Sequence, residues 1–165
     1  MSPAARDVEQ LVRQSILAEL AAMTLYMRLA NRVEHDEPRR LLRMLAATEE
    51  GHIGRLTELL ESLGGDASRA LGKVGFINGL RHEAGRRLET QLAELGLSET
   101  STAMELLQFA ISMEARAGGQ YQRLAAEAAD PRLREFFGVL VQEEASHGEQ
   151  LEHLRLMLEA SSAPR

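Results

Sequence analysis

No cysteine occurs anywhere in the 165 residues. That absence excludes disulfides, thiolate metal sites, iron–sulfur clusters and thiol nucleophiles together. Proline is scarce: the four fall at positions 3, 38, 131 and 164, so the long stretches between them carry no proline breaker. Aromatic residues make up only 4% of the chain although 44% is apolar; Leu, Ala and Met predominate, and these are helix formers. Basic charge is in deficit, with a net −6 and a pI near 5.4, which leaves no electrostatic footprint for nucleic acid. No apolar run approaches the roughly 18 residues of a membrane span. The opening Met1-Ser2-Pro3-Ala4-Ala5-Arg6-Asp7 lacks the basic-then-apolar pattern of a signal peptide. The expectation is a soluble, cytoplasmic, all-α protein with neither nucleic acid nor membrane as partner, long enough for one domain with a real core.

Apolar residues recur at steps of three and four along four long segments. The first predicted helix runs from about Pro3 to Val33 with a stripe through Val12, Ile16, Leu20, Met23 and Met27. His35 to Pro38 reads as a turn in which Asp36 caps and Pro38 takes an early helical position. The second helix reaches about Leu63 and stops at Gly64-Gly65. From 64 to 100, Gly72, Gly75 and Gly79 weaken any long helix, and the stripe Phe76, Leu80, Ala84, Leu88, Leu92, Leu95 predicts a short crossover helix ended by Gly96. Thr102 with Glu105 reads as a capping box opening the third long helix, which ends near Ala129. Asp130-Pro131 repeats the turn, and the last helix extends to about Ala160. These elements define two αα-hairpins, about 3–63 and 101–160, in a four-helix bundle with one long crossover.

The two hairpins repeat one pattern. Glu19, Tyr26 and Glu49-x-x-His52 recur as Glu114, Tyr121 and Glu144-x-x-His147, each offset by 95 residues. The chain's two tyrosines are both part of the repeat. Residues equidistant from the turn of an antiparallel pair sit at the same height, and each Glu pair is centred on its own turn, near residues 34 and 129. At about 1.5 Å per residue the glutamates therefore lie roughly 20 Å from the turns, mid-bundle. Glu and His three apart share one helix face. Four carboxylates and two imidazoles could neutralise and ligate two divalent cations, with Glu49 and Glu144 expected as bridges. Such a donor set suits iron or manganese, and nothing soft is present to favour other metals. Glu19 and Glu114 sit among apolar neighbours, where an unpartnered charge is costly. Tyr26 and Tyr121 are candidates to hydrogen-bond the metal-binding carboxylates.

Ala110-Ile111-Ser112-Met113-Glu114 through Tyr121, Asp130-Pro131, Phe136-Phe137 and Glu143-Glu144-Ala145-Ser146-His147 closely resemble the rubrerythrin family, and Glu19 through Tyr26 to Glu49-Glu50-Gly51-His52 looks like the matching first hairpin. The resemblance implies a ferritin-like bundle over residues 1–165 and a di-iron centre held by Glu19, Glu49, His52, Glu114, Glu144 and His147. It also implies reduction of hydrogen peroxide or oxidation of ferrous iron by dioxygen. Three departures qualify it. Many rubrerythrins carry a further glutamate ligand three residues after the one matching Glu114; that position is Ala117 here, and its counterpart is Ala22. The remaining six resemble the ferroxidase centre of bacterioferritin. A cysteine-free chain has no rubredoxin domain, so electrons must come from an external donor. Glu50 stands where bacterioferritin has its haem-ligating methionine, so no haem is expected.

Glu143 competes with Glu144 as partner of His147, but the repeat favours Glu144, because Glu143 matches Thr48. Glu50, His35, His82 and His153 lack counterparts and are expected at the surface or behind the ligands. Gly118-Gly119 costs about 1 kcal/mol of helix stability per glycine, either for close packing or for a local distortion. Three alternatives accompany the peroxide-reducing reading: a ferroxidase feeding an iron store, a dinuclear manganese catalase-like enzyme, and a metal-free structural bundle. A homo-oligomer, most simply a dimer, is expected.

Overall fold

The computed structural model describes residues 3–63, 66–98 and 100–162. Among them are five helices and no strand: α1 (Pro3–Ala30), α2 (Asp36–Ser62), α3 (Asp66–Glu94), α4 (Ala103–Glu127) and α5 (Pro131–Ser162). α1 packs along α2 and α4 along α5; α1 also lies against α4 and joins the two hairpins, while α2 and α5 touch more sparsely. This is the all-α, ferritin-like arrangement expected from the sequence.

Helix ends follow local chemistry. At α4 the capping box forms in full: Glu105 N–H donates to Thr102 Oγ1 at 3.2 Å and Thr102 N–H to Glu105 Oε2 at 2.8 Å. Asp130 Oδ1 accepts from Arg132 N–H at 2.9 Å, as the second turn requires. The first turn differs from expectation. His35 occupies the N-cap position without a side-chain bond, and Asp36, already helical, accepts instead from Arg39 Nη1 at 3.2 Å. α3 ends in a Schellman arrangement, with Leu97 N–H donating to Leu92 O at 2.8 Å and Gly96 N–H to Ala93 O at 3.0 Å. Gly96 takes φ +70° there, a conformation glycine adopts without steric cost. Gly64-Gly65 lies outside the described residues.

The crossover helix is not short. α3 spans 29 residues, about 44 Å of helix at the standard rise. The hairpin turns lie at opposite ends of the bundle, so the chain leaving α2 must travel the whole length before α4 can begin. The stripe from Phe76 to Leu92 is buried and offsets the glycines, and a Cβ at Gly79 or Gly85 would meet nothing. Leu95, the last residue of the expected stripe, lies past the helix end and is exposed.

The core divides in two. One apolar cluster gathers Leu25, Leu29, Leu42, Leu45, Leu107 and Leu154 near the first turn; the other gathers Ile16, Leu56, Leu60, Leu124, Phe137 and Leu140 near the second. Between them lies a layer of buried polar side chains.

Candidate metal centre

That layer is formed by Glu19, Glu49, His52, Glu114, Glu144 and His147, none more than 4% exposed. The side chains singled out by the repeat converge as two overlapping groups: Glu19, Glu49, His52 and Glu144, and Glu49, Glu114, Glu144 and His147. Within each group one ligand atom per residue lies within 4.8 Å of the others. Glu49 and Glu144 belong to both.

The shared pair splits its oxygens between the halves. Glu49 places Oε2 3.0 Å from His52 Nδ1 and Oε1 2.9 Å from His147 Nδ1. Glu144 places Oε1 2.9 Å from His52 Nδ1 and Oε2 3.7 Å from His147 Nδ1. The two outer carboxylates each offer one oxygen: Glu19 Oε2 is 3.6 Å from His52 Nδ1, and Glu114 Oε2 is 3.6 Å from His147 Nδ1. Their other oxygens are taken by tyrosines. The Tyr26 hydroxyl donates to Glu114 Oε1 and the Tyr121 hydroxyl to Glu19 Oε1. The bonds cross: each hairpin's tyrosine holds the other hairpin's glutamate. The imidazole rings stack with centroids 5.3 Å apart and planes within 12°.

Both oxygens of Glu49, both of Glu144, Glu114 Oε2 and Nδ1 of each histidine are buried without a hydrogen-bond partner. Each such orphan costs about 1–3 kcal/mol unless something fills the gap. Close spacing without mutual hydrogen bonds is how ligands stand round an ion. Four carboxylates balance two divalent cations, so the residues fit a dinuclear centre.

Without metal, protons take over the compensation. Burial pushes the Glu19 carboxyl well above its ordinary 4.5, with the Glu49 and Glu144 charges adding to the effect. Burial likewise raises Glu114 to about 8. Glu49 and Glu144 are also buried, but the neighbouring imidazoles outweigh burial and hold both carboxyls below the usual range. Burial alone would lower the histidines; the surrounding carboxylates outweigh it and raise His52 to about 11 and His147 to about 12. Two imidazoliums thus occupy the electrostatic role of two cations. Burial and the Glu19 charge keep the Tyr121 hydroxyl protonated far above pH 10.

Behind the ligands the repeat is broken. His52 Nε2 lies 3.3 Å from Glu143 Oε2, and Glu143 is ion-paired with Arg55. The positions matching Glu143 and Arg55 in the other hairpin are Thr48 and Gln150, both neutral. Sequence reading undervalued Glu143 and missed Arg55. The available signal was two compensating breaks in the repeat, an acid in one half and a base in the other. Glu50, His35, His82 and His153 are exposed, as expected for residues outside the repeat. Ala22 is buried and Ala117 half-buried, each packed in or against an apolar cluster, and among the described residues neither position adds a carboxylate to the two groups.

A carboxylate–histidine cluster at the centre of a four-helix bundle with one long crossover defines the class of ferritin-like dinuclear proteins. Residues 10–155 match the rubrerythrin family model, and the chain belongs to that family. No match was found among curated proteins or among solved structures. No described helix is long and apolar enough to cross a membrane.

Proposed function

We propose that this protein is a cytoplasmic non-haem di-iron oxidoreductase that reduces a peroxide with electrons from an external donor. The observation that carries the proposal is the division of Glu49 and Glu144, one oxygen toward each histidine, which suits carboxylates bridging two metal ions. Glu19 with His52 would complete one site and Glu114 with His147 the other. Bound iron would supply two electrons for O–O cleavage.

The chain's own residues prepare that chemistry. Each tyrosine hydroxyl occupies one oxygen of an outer glutamate, fixing the carboxylate's rotation and leaving its Oε2 for the metal. His52 presents Nδ1 to the cluster, and its Nε2 lies 3.3 Å from Glu143 Oε2 without a hydrogen bond between them; a carboxylate that near favours positive charge on the ring. The two apolar clusters keep bulk water away from both ends of the polar layer.

The test is to load ferrous iron anaerobically, add hydrogen peroxide, and follow absorbance and peroxide loss. Rapid consumption at two iron ions per chain is expected; bound iron that ignores peroxide would reject the reading. A second reading, a ferroxidase, is favoured by Ala22 and Ala117, which leave a near-symmetric six-ligand set. Dioxygen outpacing peroxide as oxidant of the same centre, together with a cage rather than the expected dimer, would support it. Manganese in place of iron is distinguished by metal analysis. A metal-free bundle would have to keep protons on Glu19, Glu114 and both histidines to balance the buried charge, and metal analysis tests it.

A further inference from the structure

The repeat that builds the cluster breaks down on the outer faces of the two hairpins, and the break is in charge. Along the exposed side of α2 run Arg40, Arg43, Met44, Ala47, Glu50 and Gly51; the matching residues of α5 are Glu135, Gly138, Val139, Gln142, Ala145 and Ser146. Arg43 has only Arg39, Arg40, Ala46 and Ala47 three and four residues away, and Glu50 has only Ala46, Ala47, Ile53 and Gly54. Neither therefore meets an opposite charge on its own helix face. Among the described residues neither forms an ion pair elsewhere in the chain. Arg28, the other cation beside them, is already paired with Glu89.

Between the two charges the face is small and apolar. Ala47 and Gly51 carry almost no side chain, and a Cβ on Gly51 would meet nothing in the chain. Glycine inside a helix costs about 1 kcal/mol relative to alanine, and no packing within the chain offsets that cost here. Met27 on α1 and Met44 on α2 are 43% and 53% exposed. A groove of about 480 Å³ lies between the two helices, its lining including Met23, Met27, Arg43, Ala47 and Glu50.

Arg43 and Glu50 lie at equal distances on either side of Ala46-Ala47. When two identical helices cross antiparallel about a twofold axis, residues equidistant from the axis face each other. An axis beside Ala46-Ala47 therefore sets each Arg43 against the partner's Glu50, so that both copies' unpaired charges are met at once. It also brings each Met44 toward the partner's Gly51, where no side chain stands. The α5 face fails the same construction: about Gln142 it would oppose Glu135 to Glu149, acid to acid.

We propose that α2, with the α1–α2 groove beside it, is the surface on which a second copy of this chain docks antiparallel, Arg43 and Glu50 pairing across the axis. The face is two helices wide, roughly 20 Å, and follows the 27 residues of α2 for about 40 Å. It can cover on the order of 800 Å² per chain, which is what a stable interface buries on each partner. A contact between the α2 face and another copy's α5 face would leave one face of each kind free and build rings or filaments instead. The pairing does not depend on the peroxide-reducing reading.

Sedimentation velocity on the iron-loaded full chain tests it, with a dimer expected. Arg43→Glu sets acid against acid at both contacts and Glu50→Arg sets base against base, so each should weaken the dimer by roughly tenfold or more. An equimolar mixture of the two variants should recover it, because each chain of the mixed pair meets its opposite at both contacts. Met44→Glu should weaken the dimer as well, whereas Val139→Glu, at the matching place on α5, should leave it intact. Circular dichroism verifies the fold of each variant, and the comparison of Met44→Glu with Val139→Glu stands where a charge swap does not fold. A monomeric wild-type chain, a dimer indifferent to both swaps, a mixture that stays apart, or a dimer lost with Val139→Glu would each overturn the proposal.

Discussion

The first hairpin covers its half of the cluster with larger side chains, and a charged pair stands behind its histidine; the second has small residues and neutral ones at the matching sequence positions. Leu20, Met23 and Ile53 on one side match Ala115, Gly118 and Gly148 on the other, and the small trio lines a groove of about 660 Å³. Glu143 and Arg55 stand behind His52, while Thr48 and Gln150 hold the matching sequence positions in the repeat. The six ligand-type residues and both tyrosines keep their types and their offset. The donor set that could hold two ions is thus repeated in both halves, and the difference is confined to what surrounds it. The two candidate metal positions would therefore differ in outer-sphere charge.

The comparison is most severely broken by removing what both halves share. Glu144→Ala should abolish binding at both positions, exceeding the roughly 10–100-fold losses typical of outer-sphere partners. Glu19→Ala and Glu114→Ala should each remove chiefly one ion, and metal analysis after dialysis reads all three. Retention of two ions by Glu144→Ala would refute the bridging role.

The next effect is on pH dependence and should be common to both halves. Glu114 titrates near 8 when folded against an ordinary 4.5, and the histidines near 11 and 12 against 6.5. In each case the folded state binds more protons, so stability falls as pH rises through the interval between the two values. The depressed Glu49 and Glu144 act oppositely, losing their contribution as pH drops below 4.5 toward their folded values. The Tm of metal-free protein should therefore fall from about pH 5 to pH 9, while metal-loaded protein stays nearly level; calorimetry across that range checks both. Metal binding should also release protons, visible in weakly buffered titrations.

A smaller effect separates the halves. Glu143→Gln should weaken one of two stepwise metal affinities by about tenfold and leave the other nearly unchanged. Building the pair into the other half, Thr48→Glu with Gln150→Arg, should bring the two affinities together. Isothermal titration resolves the steps, and a uniform loss at both would contradict the inequivalence.

The smallest concerns glycine itself. Gly54→Ala in the first hairpin and Gly119→Ala in the second both place a methyl where nothing lies within 4 Å. Each should gain about 0.5–1 kcal/mol in urea unfolding.

The hairpins and the converging side chains were readable because helical periodicity and a ligand set repeated at one spacing report on the same geometry. The capping box at Thr102 was readable for a similar reason, being wholly local. Asp36 misled because two neighbouring polar residues competed for one cap, and backbone geometry gave the position to His35. The length of α3 was obscured by Gly72, Gly75 and Gly79, although opposite turn ends demand a full-length connection. Glu143 with Arg55 escaped because that pair joins two helices far apart in sequence, and no periodicity within one helix records it.

The crossed tyrosines carry a consequence for ancestry. Because Tyr26 holds Glu114 and Tyr121 holds Glu19, neither hairpin completes its own half of the cluster; each is a lock for the other's key. Two identical hairpins meeting on a twofold axis could assemble the same six ligands. In such a pair one residue would have to fill the places of both Met23 and Gly118, and any change on one face would be copied on its twin. Joining the hairpins into one chain through α3 releases that constraint, so a single gene can keep a symmetric centre and still give it a front and a back.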